Sequence, residues 1–196
     1  MQMKAIYLAV ASSLALAACG SSNSDVAATP VTPQLTGTLS DSAVKGVSYA
    51  GASGPSGSTG ASGEFQYVLG DKVSFKIGNV SLGTVDMGNS ALGVQSGNRV
   101  VRPKDLAGVT DETDVKALAV AQVIQTAAAA SPSDTKIDVS VNASKFASVA
   151  AATIDSLDKA KTVLASAGLT PTALGNVATH LLSAPAEVKS VEFTPT

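Results

Sequence analysis

The stretch EFQYVLGDKVSFKIG, residues 64–78, decides the fold class. Phe65, Tyr67 and Leu69 alternate with Glu64, Gln66 and Val68, and Val73, Phe75 and Ile77 alternate with Lys72, Ser74 and Lys76. A period of two sends one set to a buried face and the other toward water, so the stretch reads as two strands. Gly70-Asp71 between them is a tight-turn signal, and Gly78-Asn79 is a second one leading into Val80-Ser81-Leu82. Upstream, Val44–Tyr49 makes an earlier strand with Gly46 as a bulge, and Arg99–Arg102 makes a late one. Several short strands at close spacing point to a small antiparallel β-sandwich over residues 35–103.

Glycine recurs every third residue at Gly51, Gly54, Gly57, Gly60 and Gly63. That is the collagen period, but the run is too short for a triple helix. It reads as a mobile hairpin loop; a locally packed polyproline-like segment and a ligand-contacting loop are the other two readings.

After Pro103 the periodicity becomes helical. Asp111-Glu112-Thr113-Asp114 places acids where a helix N-terminus favours them. Val115, Ala119, Val120, Val123, Ile124 and Ala127 then cover a wide apolar arc, with Asp114, Gln122 and Gln125 as a narrow polar side, and Ser131-Pro132 ends the helix. Lys136–Val141 alternates as a short strand and Asn142–Ala152 suits a short helix. Leu157, Ala160, Val163, Leu164 and Ala167 form a stripe stopped by Gly168. Thr170-Pro171 then reads as an N-cap with proline at the first helical position, opening the stripe Leu174, Val177, Ala178, Leu181 and Leu182. Glu187–Thr194 alternates imperfectly and suits a final strand. The expected fold class is α+β, the sandwich being followed by a mostly helical segment over residues 104–196.

The first residues read as an address. Lys4 precedes an apolar run, Ala5–Leu16, too short for the roughly 20 residues of a membrane-spanning helix but suited to a secretory signal. The run ends in Leu16-Ala17-Ala18-Cys19-Gly20, which resembles the lipobox of bacterial lipoproteins. That resemblance implies a signal peptide over residues 1–18, cleavage between Ala18 and Cys19, and diacylglycerol and a further acyl chain such as palmitate on Cys19. It implies an anchor of three chains, where one alone holds only marginally. Cys19 is the sole cysteine, so it has no disulfide partner within the chain. Gly20 in place of aspartate after it favours the outer membrane, by analogy with the sorting rule of enteric bacteria. Residues 19–34, small, polar and proline-punctuated, read as a flexible tether reaching about 20 Å.

The β region also resembles a domain of proteobacterial envelope and surface lipoproteins of adhesin-like, Cna-B or carboxypeptidase-regulatory-like pattern. The resemblance rests on Asp41-Ser42-Ala43-Val44-Lys45-Gly46-Val47-Ser48-Tyr49, on Thr59–Tyr67, on Gly70–Gly78 and on Leu82-Gly83. Val101–Leu106 and Ile124-Gln125-Thr126 extend it to about residues 35–126. It implies a surface or envelope module and no reaction. Where such relatives carry an Asp/Asn/Gly-rich loop suited to Ca²⁺, this chain reads AAAASPSD at 127–134, which offers no such set.

Catalytic and cofactor chemistry finds little support in the residues. The lone histidine, His180, falls beside Asn176 on the flank of its helix and is expected on the surface; no G-x-S-x-G accompanies it. One histidine and one lipidated cysteine do not make a zinc set of the usual kind. The glycine run lacks the Lys-Ser/Thr of a phosphate loop. Asp111, Glu112 and Asp114 are the weakest candidates for a metal site or a carboxylate-based hydrolase, since a helix-start acid run ordinarily complements the dipole. A net charge of −2, with 14 % charged and 4 % aromatic residues, gives neither a nucleic-acid footprint nor a platform for stacking sugars. The expectation is therefore an outer-membrane lipoprotein with no cofactor or metal and no enzymatic role, its partners being the membrane, through the lipid, and an unknown protein or surface ligand. A periplasm-facing accessory role in envelope assembly or secretion is the alternative.

Overall fold

The computed structural model describes residues 33–130 and 134–183. The expected signal sequence, Cys19, most of the expected tether, Ser131-Pro132 and the last expected strand, Glu187–Thr194, lie outside the described residues. Among the described residues, eleven strands and five α-helices follow one another as β1 (Gln34–Leu39), β2 (Ala43–Lys45), β3 (Ser48–Gly51), β4 (Ser56–Ser58), β5 (Glu64–Val68), β6 (Lys72–Ile77), β7 (Val80–Asp86), β8 (Gly93–Gln95), β9 (Asn98–Val101), α1 (Pro103–Leu106), α2 (Val115–Ala127), β10 (Lys136–Asp138), α3 (Ala143–Ala147), β11 (Ala152–Thr153), α4 (Leu157–Ser166) and α5 (Leu174–Ser183). The fold is α+β, strand-rich first and helical later.

The strands β6 and β7 pair around Gly78-Asn79, with Ile77 opposite Val80. Gly78 has φ +55°, and a Cβ there would come within 2.5 Å of the Phe146–Ala147 backbone, so the turn both needs a left-handed residue and has no room for a side chain. The Gly70-Asp71 turn behaves differently. Asp71 N donates to Val68 O at 3.0 Å, but β5 and β6 do not pair with each other. The strand order is β5-β1-β9-β8 in one sheet and β11-β7-β6-β3-β4 in another. The turn thus carries the chain from sheet to sheet, and Phe65 meets Phe75 edge to face across the interior with ring centroids 5.0 Å apart. Both apolar sets need cover, and facing each other supplies it. Leu69 falls in the turn, where the alternation ends, and is 61 % exposed.

Residues 44–49 do not form one bulged strand. The chain breaks at Gly46 (φ +88°): β2 pairs with β10, whereas β3 pairs with β6 and β4. The glycine-triplet segment is not a free loop either. Its β4 pairs with β3, Gly57 lies against the Tyr49 ring, and Ser53 N donates to the Asp71 carboxylate at 3.1 Å.

The hairpin strands pair antiparallel as expected, while β1–β9, β2–β10 and β7–β11 are parallel. Parallel neighbours require long crossovers. Two of these crossovers bring short strands of the helical half back to the sheets, so the change of periodicity at residue 103 does not separate two cores. Leu39, Phe65, Phe75, Leu82, Ile124, Phe146 and Leu164 belong to one buried cluster.

Within the helical half, α2 ends at Ala127 and α4 at Ser166, the latter with Gly168 at φ +66° beyond it. The strand expected over Lys136–Val141 stops at Asp138, whose carboxylate accepts from Ser140 N and turns Val139–Val141 into a 3-10 helix. The helix expected over Asn142–Ala152 covers only Ala143–Ala147, and Ala152 is in β11. Two further expectations are corrected. Gln122 and Gln125, assigned to the polar side of α2, are 2 % and 1 % exposed. The last helix begins at Leu174, not after Thr170-Pro171, because Thr172 is held extended: its N–H donates to Thr126 Oγ1 at 2.9 Å and its carbonyl accepts from Gln122 Nε2 at 2.8 Å. A second, smaller apolar cluster joins α5 to α2 through Val177, Leu181 and Ala121, with Leu118 packed against it.

Candidate functional site

The chain leaves β1 through a turn whose side chains point inward. Ser40 N donates to Val101 O at 2.8 Å, continuing the β1–β9 pairing. Ser42 then takes φ +59°. A left-handed serine is uncommon and costs roughly 1 kcal/mol or more. The conformation turns Asp41 and Ser42 under the helices, where they are 1 % and 7 % exposed.

Three elements meet there. From α2, Gln125 Nε2 donates to both Asp41 carboxylate oxygens, at 3.3 and 3.0 Å. From α5, His180 Nε2 lies 3.0 Å from Ser42 Oγ, 3.2 Å from the Asp41 carbonyl and 3.9 Å from Asp41 Oδ1. Ser42 Oγ donates to the carbonyl of Asp134 at 3.0 Å, in the segment before β10. His180 is fully buried, contrary to the expected surface position. The helix turns Val177, His180 and Leu181 inward, an i, i+3, i+4 face, and leaves Leu182 71 % exposed.

The bonding fixes the protons. Ser42 spends its hydrogen on the Asp134 carbonyl and the Asp41 carbonyl can only accept, so Nε2 of His180 carries a hydrogen and donates to both oxygens. A nucleophilic serine requires the reverse: an unprotonated Nε2 facing the hydroxyl, and the carboxylate on the other ring nitrogen. Here one nitrogen faces the serine and the aspartate together. The Ser42–His180–Asp41 set is therefore not arranged as a catalytic triad despite its composition.

Burial raises the Asp41 carboxyl to about 6 from its ordinary 3.8, against the Gln125 hydrogen bond and the charge of His180; Glu112 adds to the rise and Arg102 opposes it. Arg102 and Glu112 belong to an adjoining charged group. Glu112 lies 3.6 Å from Lys104 Nζ and 3.9 Å from Arg102 Nη1, and burial raises its carboxyl while those two cations lower it.

The three acids before α2 thus part company. Asp114 caps the helix by accepting from Lys116 N at 2.8 Å. Asp111 is exposed and accepts from Thr113 N and Oγ1, bonds that hold its carboxyl below the usual range. Only Glu112 turns inward. Among the described residues no group of three or more His, Cys, Asp or Glu side chains could hold a metal ion.

Surface clefts among the described residues include two away from these side chains. One, of about 300 Å³, is lined by Thr84, Asp86, Asn89, Leu92, Asp105 and Thr110 among others. The other, of about 470 Å³, lies between the start of α2 and the start of α4, beside Val115, Lys116, Leu157 and Lys161. Neither contains Asp41, Ser42, Gln125 or His180. Comparison with protein-family models, with curated proteins and with solved structures finds no match to this chain.

Proposed function

We propose that the chain is a lipid-anchored protein of the cell envelope, a non-catalytic binding or scaffold module held at the outer membrane through Cys19. The observation that carries this reading is Leu16-Ala17-Ala18-Cys19, a lipobox-like run behind a short apolar segment and containing the only cysteine. Small residues let the chain lie extended for a peptidase, and acylation gives an otherwise unpaired thiol a role. The polar corner supports the non-catalytic part. It has the residue types of a hydrolase, but their protons are committed to closing the fold. Among the described residues no helix is long and apolar enough to cross a membrane.

Cells expressing the chain and fed labelled palmitate provide the test. Label is expected in the wild-type protein and not in Cys19→Ser, which should also leave the membrane fraction. An unlabelled wild-type chain sinks the proposal. An epitope near Thr196, challenged with protease on intact cells, then separates the two facings: its removal places the folded part outside, and protection until the outer membrane is permeabilised favours the periplasmic accessory role.

A further inference from the structure

We propose that Asp41 and His180 form a protonation-controlled latch that lets α5 open from α2 while the sheets stay folded. The apolar footing of α5 is Val177 and Leu181 on Ala121 and Leu118, a cluster separate from the main core. Two branched side chains resting on one alanine and one leucine bury little apolar surface beside the main core. Polar contacts of the buried face of α5 include His180 to Ser42 and Asp41, and the Val177 carbonyl accepting weakly from Gln125 Nε2 at 3.4 Å.

Both members of the latch are buried, on elements far apart in sequence. The groups facing Asp41 are Gln125 from α2, which does not titrate, His180 from α5, Arg102 at the end of β9, and Glu112 from the segment before α2. Facing His180, among others, are Asp41 and the Ser42 hydroxyl, which is tied in turn to the Asp134 carbonyl. Opening α5 would let water reach the Asp41 carboxylate, and that water favours the ionised form. The closed helix keeps water out, which favours the neutral acid. With the closed-state value raised to about 6, the advantage of the closed form is complete below the ordinary 3.8 and is lost as pH rises through 6. Acid closes the latch and neutral pH loosens it.

Hydrogen exchange of the full chain, followed from pH 4 to pH 7 and corrected for the intrinsic rate, reads this directly. The opening of residues 174–183 is expected to rise on the order of 100-fold over that range, with β6 and β7 staying protected. Asp41→Asn, which keeps the shape and removes the titration, is expected to flatten the dependence. The wild-type series decides alone if that variant does not fold. Equal protection of α5 at both ends of the range, exchange of α5 only together with β6 and β7, or an undiminished pH dependence in Asp41→Asn would each overturn the proposal.

Discussion

The sheet interior and the seat of α5 are two ways of burying a surface. Between the sheets, Phe65, Phe75, Tyr67, Leu39 and Leu82 interlock, and Phe65 touches three other aromatic rings, Tyr49, Tyr67 and Phe75. At the seat of α5, two aliphatic side chains flank a histidine, and the specificity of the contact comes from hydrogen bonds. The first arrangement rests on apolar packing and loses stability with each carbon removed. The second depends on the ionisation of one carboxyl and on a single hydroxyl being correctly placed. Strength and responsiveness are thus divided between two parts of one small molecule.

The sharpest way to break that contrast is Phe75→Ala. Removing a fully buried ring at the centre of the interior should lower global stability by about 3–5 kcal/mol, seen as a large fall in the urea midpoint with α5 and the sheets unfolding together. The companion change, Leu181→Ala, should act locally. A loss of about 2 kcal/mol at the low end of such truncations would raise the opening of α5 roughly 30-fold in hydrogen exchange and move the global midpoint little. A global midpoint that fell as far for Leu181→Ala as for Phe75→Ala would erase the distinction between the two regions. The smallest effect belongs to Lys45→Ala. Its ion pair with Asp138 joins β2 to β10 at 2.9 Å, but the two side chains are 48 % and 40 % exposed. Water and salt screen such a pair, so a change below about 1 kcal/mol is expected in thermal unfolding, shrinking further at high salt.

The same contrast governs what was legible beforehand. Local patterns located β5, β6, the β6–β7 turn, β9, α2 and α4, because alternation and helical stripes report which side of an element meets water. They failed where polar residues were buried. Gln122, Gln125 and His180 look like solvent-facing residues, and nothing local signals that Thr172 and Asp41 wait for them. The Val177, His180, Leu181 spacing did contain the signal for His180, but Leu182 offered a competing apolar phase. Asp41 and Gln125 stand in separate motifs 84 residues apart, with no local sign that one bonds the other.

By itself, the sequence determined the strand-then-helix order and most of the apolar faces, since these depend on composition and on the geometric period of strand and helix. Only the tertiary structure decided that the Gly70 turn joins two sheets and that Gly46 splits a strand. The same holds for the parallel pairing of β10 and β11 with strands about 70 to 90 residues earlier, and for a buried acid meeting the one histidine. Pairing partners and buried polar contacts depend on which surfaces remain uncovered once the chain has collapsed. No local period encodes that, because the competing surfaces lie far apart along the chain.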